Sequence, residues 1–396
     1  MAIAKGAKSR LAWKEESAIG TVATGNFNYR PLTTESLDTA IETIQGEDIR
    51  EDRATPNLRG GNISVGGNLT HDFGIANQGL PWLRHLLAAG EAANGSAYSL
   101  SAIAASTAYK RGDYVLGTSD GVYLCVYGGT TDAGIVQTSL SGTTVSGREN
   151  ITSTTSTPLV FEYVGADGTD IYEHTLTAGS TFAAGGLSLE KMILGGTADL
   201  YIMFIGCRLN GLDLNMTQRG IVKASWDILG ITNTSGASSG AGTPASLAEV
   251  PVVGHDIYIH MADSYNGVNN NQIWREGTLR VQNGIDADAF VLGSRYRIDV
   301  PEGQRQVNGS LTAYFVDSTQ YNQFINETTI TMGISMIRDG DFLRFEFPEV
   351  KLTGNGAPKI SGAGLMTMQF DWTAFKNAGA HDVRVIARNQ TQTLPI

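Results

Sequence analysis

Long stretches of the chain alternate apolar side chains with polar or small ones, which is the period of a half-buried β-strand. The pattern is strongest near the C-terminal end, in residues 330–336, 343–347 and 366–372. The apolar members of these runs are Ile330, Met332, Ile334, Met336, Leu343, Phe345, Phe347, Met366, Met368, Phe370 and Trp372. We therefore predict three strands that each bury one face.

A β-hairpin is predicted near the middle of the chain. Residues 212–216 and 222–228 both alternate, and residues 218–220 between them end in glycine. Glycine in a short connection between two alternating runs favours a hairpin turn. The continuous apolar run 201–205 that precedes the hairpin predicts a strand buried on both faces.

Helical periodicity is rare. Residues 80–90 predict one helix, with Pro81 in its first turn and Gly90 at its end. A second helix is predicted to begin near Asp317 or Ser318, either of which can cap free backbone amides. Many strands with an amphipathic helix packed on them predict a mainly β, or α+β, fold.

Composition supports numerous short strands joined by turns, since the 396 residues include 48 Gly and 10 Pro. This length suggests two or three domains.

The net charge of -11 argues against tight binding to nucleic acid. No apolar run approaches the roughly 20 residues that span a bilayer, so no membrane contact is predicted.

The amino terminus lacks the apolar stretch of a signal peptide, so we expect the chain to fold in a cytoplasm. The two cysteines, Cys125 and Cys207, lie far apart inside strand-like runs. Disulfides are rare in a cytoplasm, and we therefore expect two buried free thiols.

Short motifs occur along the chain in an order that is similar to a known family. They are RLAWKEESAIGT at 10–21, RPLTTESL at 30–37, IREDR at 49–53, GGNISVGGNL at 60–69, FIGCRLNGLDLNM at 204–216 and GIVKASWDILG at 220–230. In this order they closely resemble the tail tube (major tail) proteins of long, non-contractile-tailed bacteriophages. The resemblance covers residues 1–95 and 179–396, which we take as one discontinuous domain.

The resemblance implies a β-sandwich or split barrel with a flanking helix, arranged as hexameric rings that stack head to tail. Its implied partners are further copies of the chain, a tape measure protein, and tail terminator and tip proteins. Genome DNA would pass through the lumen without specific binding. The protein would lie in the virion tail after assembly in the host bacterial cytoplasm. An acidic chain suits such a channel, although solubility explains the charge as well.

Residues 96–178 depart from the family pattern and predict a small, inserted, β-rich surface module. It is similar to small three-stranded modules of phage structural proteins and, more distantly, to chitin-binding domains. Its aromatic cluster would either contact a ligand such as a sugar or pack the module's own interior. The cluster consists of Tyr109, Tyr114, Tyr123 and Tyr127. A carbohydrate-binding adhesin that acts through this module is therefore the alternative function.

A large apolar residue near the chain end needs an explanation. Trp13 lies beside Glu15 and Glu16. These residues belong either to an amino-terminal arm that docks on a neighbouring subunit or to a segment that folds back onto its own domain.

No arrangement of residues points to a reaction. Two histidines five positions apart would face opposite sides of a strand, and two aspartate pairs lack the pattern of a calcium loop. These candidates are His255, His260, Asp286, Asp288, Asp339 and Asp341. The 339–341 pair first predicts a turn. Because nucleophile, zinc and phosphate-loop motifs are also missing, we predict no enzymatic activity, cofactor or metal. A hydrolase that uses an aspartate pair is the remaining alternative.

Overall fold

A computed structural model of the chain describes most of its residues. The described ranges are 6–47, 51, 57–75, 79–89, 94–144, 147–151, 159–182, 185–246, 250–262, 273–354, 356–358, 364–376 and 381–395. Within them the protein is mainly β, as predicted.

The elements are numbered along the chain. The first are β1 (Arg10–Glu15), β2 (Asn28–Arg30), β3 (Thr34–Glu35), β4 (Asp38–Gln45), β5 (Leu58–Asp72) and helix α1 (Gly79–Leu86). Next come β6 (Ser96–Ala97), β7 (Ser101–Ala102), β8 (Ala108–Tyr109), β9 (Tyr114–Leu116), β10 (Val122–Tyr127), β11 (Gly129–Thr130), β12 (Arg148–Ile151), β13 (Leu159–Gly165) and β14 (Tyr172–Thr177).

The remaining strands complete the main body. They are β15 (Leu187–Ile193), β16 (Leu200–Thr217), β17 (Lys223–Gly230), β18 (Thr232–Gly236), β19 (Ile257–Ala262), β20 (Trp274–Gln282), β21 (Gln306–Tyr314), helix α2 (Thr319–Ile325), β22 (Ile330–Arg338), β23 (Asp341–Thr353), β24 (Thr367–Ala374) and β25 (Arg384–Asn389). Short 3-10 turns lie at Gly6–Lys8, Thr118–Asp120, Gln137–Ser139 and Gly254–Asp256.

The predicted strands and hairpin are confirmed. The three C-terminal runs form β22, β23 and β24, and the central hairpin is the antiparallel pair of β16 and β17. Leu212 lies opposite Trp226 in this pair, and the residues with apolar side chains on this face are all buried. The alternation was informative because only one face of each strand enters the core.

Two antiparallel layers enclose the main core. The first, called the broad sheet here, has the order β5-β17-β16-β20-β21-β24. The second, called the covered sheet, has the order β19-β22-β23-β25-β14-β6. Strand β23 links them, because its residues 350–353 pair with β24 and its residues 342–346 pair with β25. Both layers contribute to one hydrophobic cluster.

A third, smaller group of strands lies at the other end of β16. Its order is β2-β1-β15-β16-β18, so the long β16 pairs with this N-terminal sheet through residues 200–207 and with the broad sheet beyond them. Helix α1 packs against β16 and places Trp82 between Trp13 and Trp226.

Both predicted helices are present, with small differences at their ends. Helix α1 contains Pro81 in its first turn, while the predicted end at Gly90 lies outside the described residues. Ser318 is the N-cap residue of α2, and a carboxylate oxygen of Asp317 accepts the backbone N–H of Thr319 at 2.8 Å.

The predicted module contains its own five-stranded sheet, β12-β13-β10-β9-β7, which spans Ser101 to Gly165. Strands β8 and β11 form a separate pair beside it. The ends of the predicted module, β6 and β14, pair instead with each other, and β14 also pairs with β25 of the covered sheet. The chain therefore enters and leaves the module directly from the main body.

Candidate assembly surfaces

Trp13 is completely buried within its own chain. It lies in β1, between β15 and β2, and its ring meets that of Trp82 edge-on with centroids 6.1 Å apart. Of the two placements that the sequence left open, the structure has the fold-back onto the same domain. Trp13 is a core residue of the main body, because an apolar strand next to α1 needs a large side chain to fill the space.

Glu16 lies at the corner where β16 passes from the N-terminal sheet to the broad sheet. Its carboxylate accepts the hydroxyl of Ser188 and the backbone N–H of Gly206, both at 2.8 Å, and the N–H of Gly20 at 2.9 Å. Gly206 has a φ of 67°, which disfavours any residue with a Cβ. The buried Glu16 therefore holds a backbone bend in place.

Glu15 forms an ion pair on the same side of the molecule. A carboxylate oxygen lies 3.0 Å from a guanidinium nitrogen of Arg84 and 3.5 Å from Nε2 of His85, both on α1. Burial acts to raise the pKa of Glu15, but the hydrogen bond and charge of His85, followed by Arg84, lower it overall. This pair ties β1 to the helix within one subunit.

Two of the four tyrosines pack inside the module, and the other two pack between the module and the main body. Tyr109 and Tyr123 are buried on one face of the module sheet, edge-on to Phe161 and Tyr163 respectively. On the other face, the hydroxyl of Tyr114 donates to the carbonyl oxygens of Gly340 and Arg388, at 2.8 and 3.1 Å. Tyr127 is half-buried and meets Tyr258 of β19 edge-on. The structure thus agrees with the packing alternative for these side chains.

The module is fastened to the covered sheet through the turn between β22 and β23. Asp339 and Gly340 have φ values of 49° and 82°, so the predicted turn is present, and Gly340 N–H donates to Glu162 at 3.1 Å. Arg388 donates to the carbonyl of Gly112 at 2.6 Å and to Glu173 at 2.7 Å. The module therefore has a fixed orientation on the main body.

The hairpin of β4 and β5 is highly exposed. Strand β5 pairs with β17 only from Val65 onward; before that it pairs with β4, apart from one bridge between Ile63 and Tyr296. Seven of the eight residues of β4 are exposed. Three large apolar side chains of this hairpin are exposed, namely Ile41 at 57% and Ile44 at 52% on β4 and Leu58 at 66% on β5.

A loop supports the base of this hairpin. Arg295 donates to the carbonyl of Gly61 at 2.9 Å, and Arg297 donates to the carbonyls of Val65 and Gly230 at 3.0 Å each. The same loop presents exposed apolar side chains, among which Leu292 is fully exposed. We call Ile41, Ile44, Leu58, Leu292 and Ile298 together the hairpin patch.

The titratable candidates do not converge. His255 is largely exposed in a 3-10 turn, whereas His260 lies in β19. The carboxylate of Asp286 accepts the backbone N–H of Asp288 at 2.8 Å, which closes a local turn. In the described part of the chain no three acidic, histidine or cysteine side chains are placed to hold a metal ion.

Both cysteines are free and buried, as predicted. Burial raises the pKa of the Cys125 and Cys207 thiols, which keeps them protonated and unreactive.

Among the described residues no helix is both long and apolar enough to cross a membrane.

These features define a mainly β protein whose notable surfaces are an exposed hairpin and a module packed on the covered sheet. A family model described as phage tail tube protein matches residues 6–374. The chain therefore belongs to the phage tail tube protein family. A search of curated proteins found no match.

Proposed function

We propose that the chain assembles into hexameric rings that stack head to tail into the tail tube, through which genome DNA passes during ejection. The observation that carries this proposal is the hairpin of β4 and β5. Strand β4 extends for eight residues, or roughly 26 Å at the rise of an extended strand. Seven of the eight are exposed, and two of these, Ile41 and Ile44, carry large apolar side chains.

A two-stranded hairpin is marginally stable in water by itself. The outer edge of β4 carries backbone groups that no described strand pairs, and an open edge of this kind invites another chain. The hairpin patch adds apolar surface that water disfavours. A second copy of the chain, bound through a different surface, would cover both.

Such a contact joins two different surfaces, so it can repeat from copy to copy, and it generates a filament where the rotation between copies does not close a ring. Lateral contacts that close a ring, combined with hairpin contacts between rings, produce a tube. Membership of the tail tube family supports this arrangement. The further partners that we propose in the virion tail are a tape measure protein and terminator and tip proteins. Assembly in the bacterial cytoplasm fits the two free cysteines.

Negative-stain electron microscopy of the purified chain over a concentration series tests the proposal. Rings and tubes with a central channel are expected for the native chain. The double variant Ile41→Asp/Ile44→Asp should give at most single rings, because it places charges where the hairpin docks. The matched control is Val136→Asp, since Val136 on the module is also 57% exposed; it should assemble normally. Native protein that stays monomeric or trimeric at every concentration would refute the proposal.

The adhesin alternative depends on an aromatic face on the module. Because the four tyrosines are engaged in packing, that face is largely used within the fold. Binding of the full chain to a glycan array, lost on substitution of the half-buried Tyr127 by alanine, would restore this alternative.

A further inference from the structure

The main body contains the same arrangement of elements twice. In chain order, β1, β4, β5, α1, β15, β16, β17 and β18 correspond to β19, β20, β21, α2, β22, β23, β24 and β25. In the first set β15 pairs with β1 and β16, β16 with β18 and β17, and β5 with β17 and β4. In the second set β22 pairs with β19 and β23, β23 with β25 and β24, and β21 with β24 and β20. All twelve pairings are antiparallel, so the chain holds two copies of one fold unit, called unit 1 and unit 2 here.

Corresponding strands also keep similar residues. Residues 65–73 of β5 and the turn after it read VGGNLTHDF, while residues 307–315 read VNGSLTAYF, so five of the nine positions are identical. The first residue of each run lies opposite the last residue of β17 or of β24, which puts both runs in the same register. Residues 208–211 read RLNG and residues 351–354 read KLTG, at the point where β16 and β23 change partners. Sequence and topology therefore define the same repeat.

The two units meet in the broad sheet. With its flanking strands included, the order is β4-β5-β17-β16 from unit 1, followed by β20-β21-β24-β23 from unit 2. The joint between the units is the pairing of residues 211–217 of β16 with residues 276–282 of β20. Strand β23 is the counterpart of β16, and β4 is the counterpart of β20. The two outer edges of the row are therefore the same two kinds of strand that meet at its centre.

Both outer edges are open in the described part of the chain. Strand β4 pairs with β5 on one side only, and residues 351–353 of β23 pair with β24 on one side only. Open edges of this kind favour the addition of another strand. Seven strand spacings, or roughly 34 Å along the sheet, separate the two edges of one chain. A partner for either edge must therefore come from another chain.

We propose that the joint between β16 and β20 is repeated between chains, with β4 of one copy pairing antiparallel beside the end of β23 of a second copy. This inference rests on the proposed function, from which it takes a ring of six units. Because each chain supplies two units, the hexameric ring contains three chains. The backbone edge of β4 then serves the contact within a ring, and the hairpin patch serves the contact between rings.

The module gives this arrangement a visible signature. It is inserted between α1 and β15 of unit 1, whereas α2 of unit 2 is followed directly by β22. A ring of three chains therefore carries three modules, one on every second unit. End-on electron microscopy views of single rings, averaged without imposed symmetry, should show three peripheral densities around six units. Six peripheral densities would overturn the inference and leave the tube proposal intact.

Cross-linking tests the strand contact itself. Asp38 at the start of β4 and Thr353 at the end of β23 are both exposed, and the native Cys125 and Cys207 are buried. Assembled Asp38→Cys/Thr353→Cys protein, treated with a short bismaleimide, should give linked species of two and three chains on a denaturing gel. The closed ring prevents a longer ladder.

Two double variants are the matched controls. In Asp213→Cys/Arg280→Cys the thiols replace an ion pair of 3.3 Å at the joint inside one chain, so the link should form without adding a second chain. In Val136→Cys/Thr353→Cys the exposed module residue replaces the β4 position, and no ladder is expected.

The possible failures are distinguishable. Rings in which Asp38→Cys/Thr353→Cys gives no link between chains, or a ladder that continues beyond three chains, would overturn the inference and leave the tube proposal intact. Failure of the native chain to form rings or tubes would refute the proposed function itself, and this inference with it.

Discussion

His71 is the buried group whose protonation should most clearly affect stability. It lies in β5 beneath the tryptophan cluster, with 1% of its surface exposed. Its Nε2 accepts hydrogen bonds from Arg30 at 2.5 Å and from the indole of Trp226 at 2.8 Å, and its Nδ1 donates to the carbonyl of Asp72 at 2.7 Å. The neutral ring therefore has both nitrogens satisfied.

Protonation would put an N–H against two donors and a positive charge beside Arg30. Burial, together with the charge of Arg30, accordingly lowers the pKa of His71 to about 3 from 6.5. The unfolded chain then binds more protons than the folded chain between these two values, so stability falls as the pH drops below 6.5. From pH 7 to pH 4 we expect a loss of about 3 kcal/mol from this group, at 1.36 kcal/mol per pKa unit.

Urea unfolding of the Ile41→Asp/Ile44→Asp protein at pH 7, 5.5 and 4 measures this loss without interference from assembly. The matched variant is His71→Gln, which keeps an acceptor for Trp226 but does not titrate. Carboxylates titrate in both proteins, so only the difference between their pH profiles reports on His71. Equal profiles would refute the reasoning, as would an NMR titration in which the His71 ring protonates near pH 6.

Two further substitutions test how the subunit is held together. Gly206→Ala should destabilise the protein by about 1–3 kcal/mol, because a positive φ is costly for alanine and the new Cβ would lie 2.8 Å from the Ile231 side chain. The control in thermal unfolding is Gly134→Ala, whose new Cβ would have no neighbouring atom within 4 Å. Tyr114→Phe should cost about 1 kcal/mol through its lost hydrogen bonds and make the module more sensitive to limited proteolysis. Unchanged melting and digestion would contradict the roles given to the strand corner and to the module contact.

The strands of the core could be predicted from the sequence because burial of one face imposes a period of two. Ile334 and Phe370 are fully or almost fully buried, and each lies in a run that alternates cleanly. The same logic identified the β16–β17 hairpin. It could not identify β4, since Ile41 and Ile44 interrupt a polar run without a regular period and are exposed in the isolated subunit.

Site residues were harder to place because their partners are distant in sequence. The sequence left Trp13, Glu15 and Glu16 either in an arm or in a segment that folds back. The partners of Glu16 include Ser188 and Gly206, which no local pattern connects to it. The tyrosines of the module posed the same problem. Tyr114 contacts Gly340 across 226 positions, and a sequence alone cannot distinguish a ring that packs from a ring that binds.

The exposed apolar side chains of the β4–β5 hairpin follow from one physical requirement of the proposed tube. A subunit that folds alone and then polymerises must bury its core early and leave its contact surfaces unsatisfied until another copy arrives. In the proposed tube, apolar residues such as Ile44 therefore remain exposed to water on the hairpin until a second copy of the chain covers them. In a protein of this family, departures from the pattern of a self-contained globular domain mark where function lies.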